Sequence, residues 1–409
     1  MAPYHLFAGG YEGRILTLSF DPATKTIKTS SSVECGNAPT WLTLSQDGKH
    51  LYAADEWGEE EGMIMALAVG EDGVLKPMSS VKTGGLWPCH SGLLTSTTPH
   101  RLLTTNYKGA SLHSIPLLPS GDLETQPAAS QLLSYLGQGT VGTVTERQQQ
   151  AHPHGAHVDP RGLVCVVPDL GTDDLRIVGV KEDSTLENVE TIHLEAGDGP
   201  RHVLYSHTGE RLYVLNELHN SITVFAVSYP SPPSPPPPSS STSFSAPPTS
   251  RYPSFTLLQS RVSILPSTPN PHQASFKDWH CAEVVLTPDQ TTLIASNRAE
   301  AHHPLEGTRQ GEPDLLAIFG VKADGTLEVE GRKMVSCGGR APRHMSLNSE
   351  SLRMKGKGVR EVEEGRWLAV ALHDSDEVVI FERAGVDGRK LREVARARDV
   401  GRPGVVLWA

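Results

Sequence analysis

Aromatic residues make up only 6% of this 409-residue chain, and cysteine is scarcer still. The five cysteines, Cys35, Cys89, Cys165, Cys281 and Cys337, are odd in number, widely spaced and without a CxxC pair. That pattern excludes a disulfide framework and a thiolate zinc site, and leaves reduced, mostly buried thiols as the expectation. Positive charge is also in short supply: 36 Lys+Arg against 47 Asp+Glu give a formal charge of −11, with no basic stripe. Nucleic acid is therefore not an expected partner. No apolar run approaches the roughly 18 residues that span a bilayer, and the first ten residues lack a basic n-region and a long apolar segment. A soluble, cytoplasmic protein with no membrane partner is the expectation. The GxSxG, HExxH and Trp-Asp signatures are missing too, so the sequence indicates neither a covalent acyl-enzyme nor a zincin, and gives no support to a WD-type interaction scaffold.

What the chain has in quantity is turn-forming residues, 38 Gly and 31 Pro, and an internal repeat. The phrase opens on Pro or His, runs through an apolar stretch and a polar turn, and ends on alternating residues closed by Asp or Asn. Clear copies run from Pro39 to Glu56, Pro153 to Asp169, Pro200 to Glu217, Trp279 to Arg298 and Pro342 to Asp374, with a looser one from Pro88 to Asn106. The N-terminal His5–Glu12 stretch matches only the end of the phrase, and Arg402–Trp408 matches only its beginning. Together the two chain ends make a seventh copy. The markers Tyr11, Asp55, Asn106, Asp169, Asn216, Asn297 and Leu372 lie 44 to 81 residues apart, room for four short strands each. Period-2 runs such as Ser221–Phe225 and Val378–Phe381, bounded by Asp-Gly or Thr-Gly turns, have strand and hairpin chemistry. The expected fold is all-β: a single seven-bladed β-propeller over residues 1–409, with four-stranded blades and a ring closed by pairing the N- and C-terminal strands, which removes exposed edges.

The uneven spacing has local explanations. Residues 228–250 hold nine Pro and nine Ser in 23 residues and read as a disordered insert that cannot pack a core. Residues 131–150 and 350–366 read as smaller polar insertions, and Gly9-Gly10 and Gly197-Asp198-Gly199 as turns between blades.

Equivalent repeat positions of a propeller converge on one channel mouth. Just after the Pro stand Thr40, His154, Arg201 and Arg343, and at the end of the second strand Glu56, Glu217 and Arg298. A purely structural repeat tends to keep one residue type at such positions. A carboxylate, a histidine and several guanidiniums suit a small anionic substrate and acid/base chemistry, because Arg holds carboxylate or phosphate bidentately. His90, Asn106, Asn297 and Arg343 are the expected substrate contacts. Two metal alternatives are visible: zinc on His152 and His154, which lacks a second ligand cluster, and calcium on the oxygens of Asn106, Asn216, Glu217 and Asn297. The preferred reading has no metal and no cofactor.

The stretches His152-Pro153-His154-Gly155, Gly199-Pro200-Arg201-His202-Val203, Leu212–Leu218 and Ala295-Ser296-Asn297-Arg298 resemble the lactonase family of seven-bladed propellers. That family contains bacterial-type 6-phosphogluconolactonases and fungal carboxy-cis,cis-muconate cyclases. The resemblance implies a catalytic set of His154, Arg201, Glu217 and Arg298. The Pro-Arg-His phrases at 200 and 342 and Asn216-Glu217-Leu218 look more like the phosphogluconolactonase branch. A lactonase acting on a sugar-acid lactone is thus the expected function, with muconate cyclisation and a non-enzymatic scaffold as alternatives. For hydrolysis, Glu217 or His154 would activate water while Arg201 and Arg298 hold the acid group and the developing oxyanion.

Overall fold

The computed structural model describes residues 3–58, 61–230, 251–266, 279–299, 314–348, 364–385 and 387–409. The strands group into seven antiparallel sheets of four. Within a blade, successive strands pair antiparallel and step outward from the channel; the strands of blade 2, for example, are Pro39–Leu44, His50–Asp55, Met63–Val69 and Leu75–Lys82. Innermost strands touch their neighbours in turn around the whole circle: Pro39–Leu44, Pro88–Leu94, His157–Val158, Pro200–Tyr205, Trp279–Leu286, Pro342–Leu347 and Pro403–Trp408. Closure is as the repeat predicts. The C-terminal strand Pro403–Trp408 is the innermost strand of blade 1 and pairs with Tyr4–Gly10.

Burial follows position in the blade. Second and third strands such as Val164–Asp169 and Asp174–Val180 are buried on both faces, because neighbouring blades cover them, and their apolar runs are nearly continuous. Outermost strands alternate; Thr26–Glu34 is polar and largely exposed. The core is therefore a set of inter-blade layers. One of them packs Tyr4, Phe20 and Trp408 of blade 1 against Trp367 and Ile380 of blade 7, so burial of large aromatics reinforces the join at which the ring closes.

A bulge near the start of the innermost strand recurs in six of the seven blades. In blade 5, Pro200 pairs with Asn216 and His202 with Leu215, leaving Arg201 as the extra residue. Such a bulge re-aims a side chain out of the ladder. The repeat position after the Pro thus becomes the wall of the channel mouth.

Two expectations change here. Residues 131–150 are not a passive insertion: Gln131–Ser134 is the outermost strand of blade 3, and the segment after it runs back across the blade toward the channel. Gly9-Gly10 does not form a turn but ends the strand Tyr4–Gly10. A Cβ on Gly9 would lie 2.2 Å from the Pro39 carbonyl oxygen of the next blade, so the close approach of this second strand to the innermost strand of blade 2 requires glycine there. Of the Pro/Ser-rich stretch only 228–230 falls among the described residues; 231–250 lies outside them, as do residues 350–363 of the last insertion.

Candidate active site

A cavity of about 320 Å³ opens at the channel mouth, lined by Thr40, Trp41, Glu56, Trp87, Cys89, Tyr107, Arg147, His154, Arg201, Glu217, Arg298, Arg343 and Gly404. Two repeat positions supply most of it. The position after the repeat Pro contributes Thr40, Cys89, His154, Arg201, Arg343 and Gly404, and the position after the repeat Asp or Asn contributes Glu56, Tyr107, Glu217 and Arg298. At this size it suits a small metabolite rather than a polymer.

Glu217 is the hub. Just beyond the strand Arg211–Asn216, it is buried, and three guanidiniums converge on it. Its Oε2 accepts from Arg201 Nη1 at 2.9 Å; its Oε1 accepts from Arg147 Nη2 at 2.6 Å and lies 3.3 Å from Arg298 Nη2. Burial alone would raise its pKa, but the arginines outweigh that and hold the carboxyl well below the usual glutamate range. Arg201 is fixed from both sides, since its Nε donates to the Ala282 carbonyl at 2.8 Å while Nη1 also donates to His154 Nε2. Arg298 reaches the Cys281 carbonyl at 3.3 Å.

That bond decides the state of His154. With Nε2 accepting, the neutral ring carries its proton on Nδ1, which faces the Cys89 sulfur at 3.8 Å. Burial and the Arg201 charge hold its pKa well below the ordinary histidine value, so His154 is uncharged near neutral pH. The Cys89 thiol is no rival nucleophile: burial pushes it up to about 12.

Four guanidiniums, Arg147, Arg201, Arg298 and Arg343, face this cavity against two carboxylates, Glu56 and Glu217. The mouth therefore carries an excess of two positive charges in a chain whose formal charge is −11. Low-dielectric walls focus such a field.

The expected catalytic residues His154, Arg201, Glu217 and Arg298 come together as one bonded group, and Arg343 joins the wall, its guanidinium 5.6 Å over the Tyr11 ring. The other expected contacts lie elsewhere. Asn106 is buried inside its blade, donating to the Thr83 carbonyl and to Ser111 Oγ, and Asn297 donates to the Ile264 carbonyl. Both amides secure the polypeptide that arrives from the preceding blade and do not line the cavity. His90 sits behind the wall, stacked on Trp41 with ring centroids 4.0 Å apart and accepting from the Ala156 amide.

The Glu217 oxygens are taken up by guanidiniums, and the Asn216 amide donates to Ser221 and Thr223 within its own blade. His152 stacks on Tyr107 and directs Nδ1 at the Tyr107 carbonyl, 3.0 Å away. Among the described residues no group of three or more His, Cys, Asp or Glu is arranged to hold a metal, and no helix is long and apolar enough to cross a membrane.

Arg147, Tyr107 and Cys89 escaped the sequence reading. Tyr107 and Cys89 occupy repeat positions already recognised in other blades, directly after Asn106 and Pro88, so the alignment could have found them. Arg147 could not be found that way, because it belongs to the link between blades 3 and 4 and has no counterpart in the repeat.

Comparison with known proteins agrees with the architecture. The family model described as a seven-bladed β-propeller lactonase matches residues 5–232 and 251–408. An Arthroderma benhamiae protein named "Probable 6-phosphogluconolactonase" is 26% identical over 98% of this chain and 88% of its own length. A Formosa agariphila 6-phosphogluconolactonase is 24% identical over 87% of this chain and 84% of its own. Among solved structures, the Pseudomonas aeruginosa periplasmic gluconolactonase PpgL superposes with a TM-score of 0.76 at 22% identity, covering 100% of this chain and 99% of that one. At that identity the likeness speaks to the fold.

Proposed function

Because the chain belongs to the seven-bladed β-propeller lactonase family, we propose that it is a lactone hydrolase that opens the lactone of a phosphorylated sugar acid, 6-phosphogluconolactone being the leading candidate, at the channel mouth. The observation that carries this reading is the cavity itself: four guanidiniums on its wall, three of them organised around a buried carboxylate, in a space sized for one small anion. Relatives named 6-phosphogluconolactonase that align along most of the chain point the same way.

In this reading Arg201 and Arg298 stabilise the oxyanion that forms on the lactone carbonyl, and Arg147 and Arg343, nearer the opening, hold the phosphate. Such donors act strongly because they are already oriented before the substrate enters. Glu217 serves as their anchor. A carboxylate compensated by three guanidiniums is a weak base, so its part is positional, and His154 helps hold Arg201 in place. The chemistry needs only water as co-substrate. A cytoplasmic location belongs to the proposal too.

The test is hydrolysis of 6-phosphogluconolactone by purified protein above the spontaneous rate, beside unphosphorylated gluconolactone and 3-carboxymuconate, each with and without chelator. Phosphorylated lactone as the preferred substrate, unaffected by chelator, supports the proposal. Loss of muconate instead would move the chain to the cyclase alternative, and a chelator-sensitive rate would bring back the metal reading. A scaffold would turn over none of them, and no anionic ligand would raise its melting temperature.

A further inference from the structure

The cavity holds two carboxylates in opposite circumstances, and the contrast concerns the step left unassigned above, activation of water. Glu217 is compensated by three arginines. Glu56, half-buried at the end of the strand His50–Asp55, accepts only from neutral hydroxyls: Thr40 Oγ1 at 2.8 Å and Tyr11 Oη at 3.2 Å. Both bonds fall on Oε2. Among the described residues no arginine or lysine pairs with Glu56, and its Oε1 receives no hydrogen bond. Burial pushes the Tyr11 hydroxyl up to about 12, which keeps it a donor that steadies the carboxylate throughout the neutral range.

Glu56 also lies on the reacting side of the site. It and Arg201 both come within electrostatic reach of the Cys89 thiol and the Tyr11 hydroxyl, and both line the same cavity. A general base needs a lone pair free to take a proton, set near the group that stabilises the resulting oxyanion. His154 has its Nε2 lone pair engaged by Arg201. Glu56 alone of the three candidate bases keeps an oxygen open.

We propose that Glu56 is the catalytic base of the hydrolysis, its Oε1 taking the proton of the attacking water. This role rests on the lactonase reading. The water oxygen bonds to the lactone carbonyl carbon as its proton passes to Glu56, and the carbonyl π pair moves onto oxygen beside Arg201 and Arg298. Collapse of that intermediate breaks the ring C–O bond, and the departing ring oxygen takes the proton back from Glu56. One lactone and one water give one hydroxy acid, with the carboxylate regenerated.

The experiment compares wild type, Glu56→Gln and Tyr11→Phe on 6-phosphogluconolactone. Glu56→Gln should lower kcat by about 10²- to 10⁴-fold, the usual contribution of general base catalysis, with KM and melting temperature little changed. Glu56→Ala should regain activity with added sodium formate, a small carboxylate that can enter the vacated space, and wild type should not respond. Tyr11→Phe removes one of the two donors that orient the carboxylate, so its kcat should fall about tenfold, the effect of losing one hydrogen bond to a charged group, with KM little changed. This variant serves even if the Glu56 variants fail to fold. A Glu56→Gln enzyme that keeps more than a tenth of wild-type kcat, a loss confined to KM, or a wild-type kcat in Tyr11→Phe would overturn the role of Glu56 while leaving the lactonase standing. Absence of any lactone turnover by wild type would overturn both.

Discussion

Arg201 and His202 are neighbours in sequence, yet they belong to two different chemical regions. Arg201 and its repeat equivalents Thr40, Cys89 and Arg343 line the open cavity. One residue further along each strand stand His202, Trp41, His90 and His344, whose rings pack against one another: Trp41 with His90, His202 and His344, and His90 with His202. The carboxylates of the two regions diverge accordingly. Glu217, among guanidiniums, is held well below the usual range, whereas Glu283, hydrogen-bonded to His202 Nδ1 at 3.2 Å and 3.6 Å from His344 Nε2, is raised by burial. The comparison teaches that burial by itself does not set the charge of a carboxyl; the number of fixed cations facing it does. It also separates an open, cation-rich wall from the ring-packed layer behind it.

Within the arginine cluster around Glu217, the largest effect expected is that of Arg201→Ala. Its guanidinium links Glu217, His154 and the Ala282 carbonyl, and loss of such an oxyanion donor lowers turnover by about 10²- to 10³-fold. Full activity in a steady-state assay would break the assignment of the mouth as the reacting region. Next comes Glu217→Gln, which leaves three buried or half-buried guanidiniums without their shared anion. Removing one side of a buried charge network destabilises by about 3–5 kcal/mol, so its melting temperature should drop clearly along with its activity. An unchanged melting curve would show that the arginines do not need this anchor.

Arg147→Ala should have a smaller and more selective effect. Arg147 is the most exposed of the three cations on Glu217, and on a linking segment its loss should spare the fold. KM for the phosphorylated lactone should rise about tenfold, the effect of losing one charge-assisted hydrogen bond, with little change for unphosphorylated gluconolactone. Equal changes for both substrates would remove it from the phosphate subsite.

The ring-packed region is sharpened by acid. His90, His157 and His202 are held well below the ordinary value of 6.5, burial being the main cause. Because their folded pKa values are depressed, the unfolded chain binds protons that the folded one refuses once the pH falls below about 6.5. Stability is therefore fully present above that pH and falls as the pH is lowered. Melting curves from pH 8 to 5 should show this decline, and His90→Phe should make it shallower while lowering the plateau, since the Ala156 amide loses its acceptor. Smallest of all should be Glu283→Gln. A carboxyl raised by burial contributes stability at low pH that is lost as the pH rises, so its neutral replacement should leave the neutral-pH melting temperature unchanged or slightly higher; a large drop would mean that Glu283 is an ion-pair partner like Glu217.

Much of this was legible in the sequence because propeller repeats translate directly into space. The Pro-Arg-His and Asn-Glu-Leu phrases marked the innermost and second strands, and the positions holding Thr40, His154, Arg201, Arg343, Glu56, Glu217 and Arg298 proved to share one cavity. Asn106 and Asn297 misled because they are polar, recur at one repeat position and lie one residue before a true wall residue. A strand alternates sides at every residue, so an offset of one moves a side chain from the channel mouth into the blade.

By itself the sequence determined what depends on local pattern: short alternating strands, turns, the sevenfold count, and the closure implied by half-phrases at the two ends. Tertiary structure decided what depends on distance and field. It brought Arg147 from outside the repeat onto Glu217 and gave the His154 proton to Nδ1. It surrounded one carboxylate with guanidiniums while leaving Glu56 to hydroxyls alone. Periodicity is carried along the chain, whereas the charge state of a side chain is set by neighbours that folding supplies from other blades.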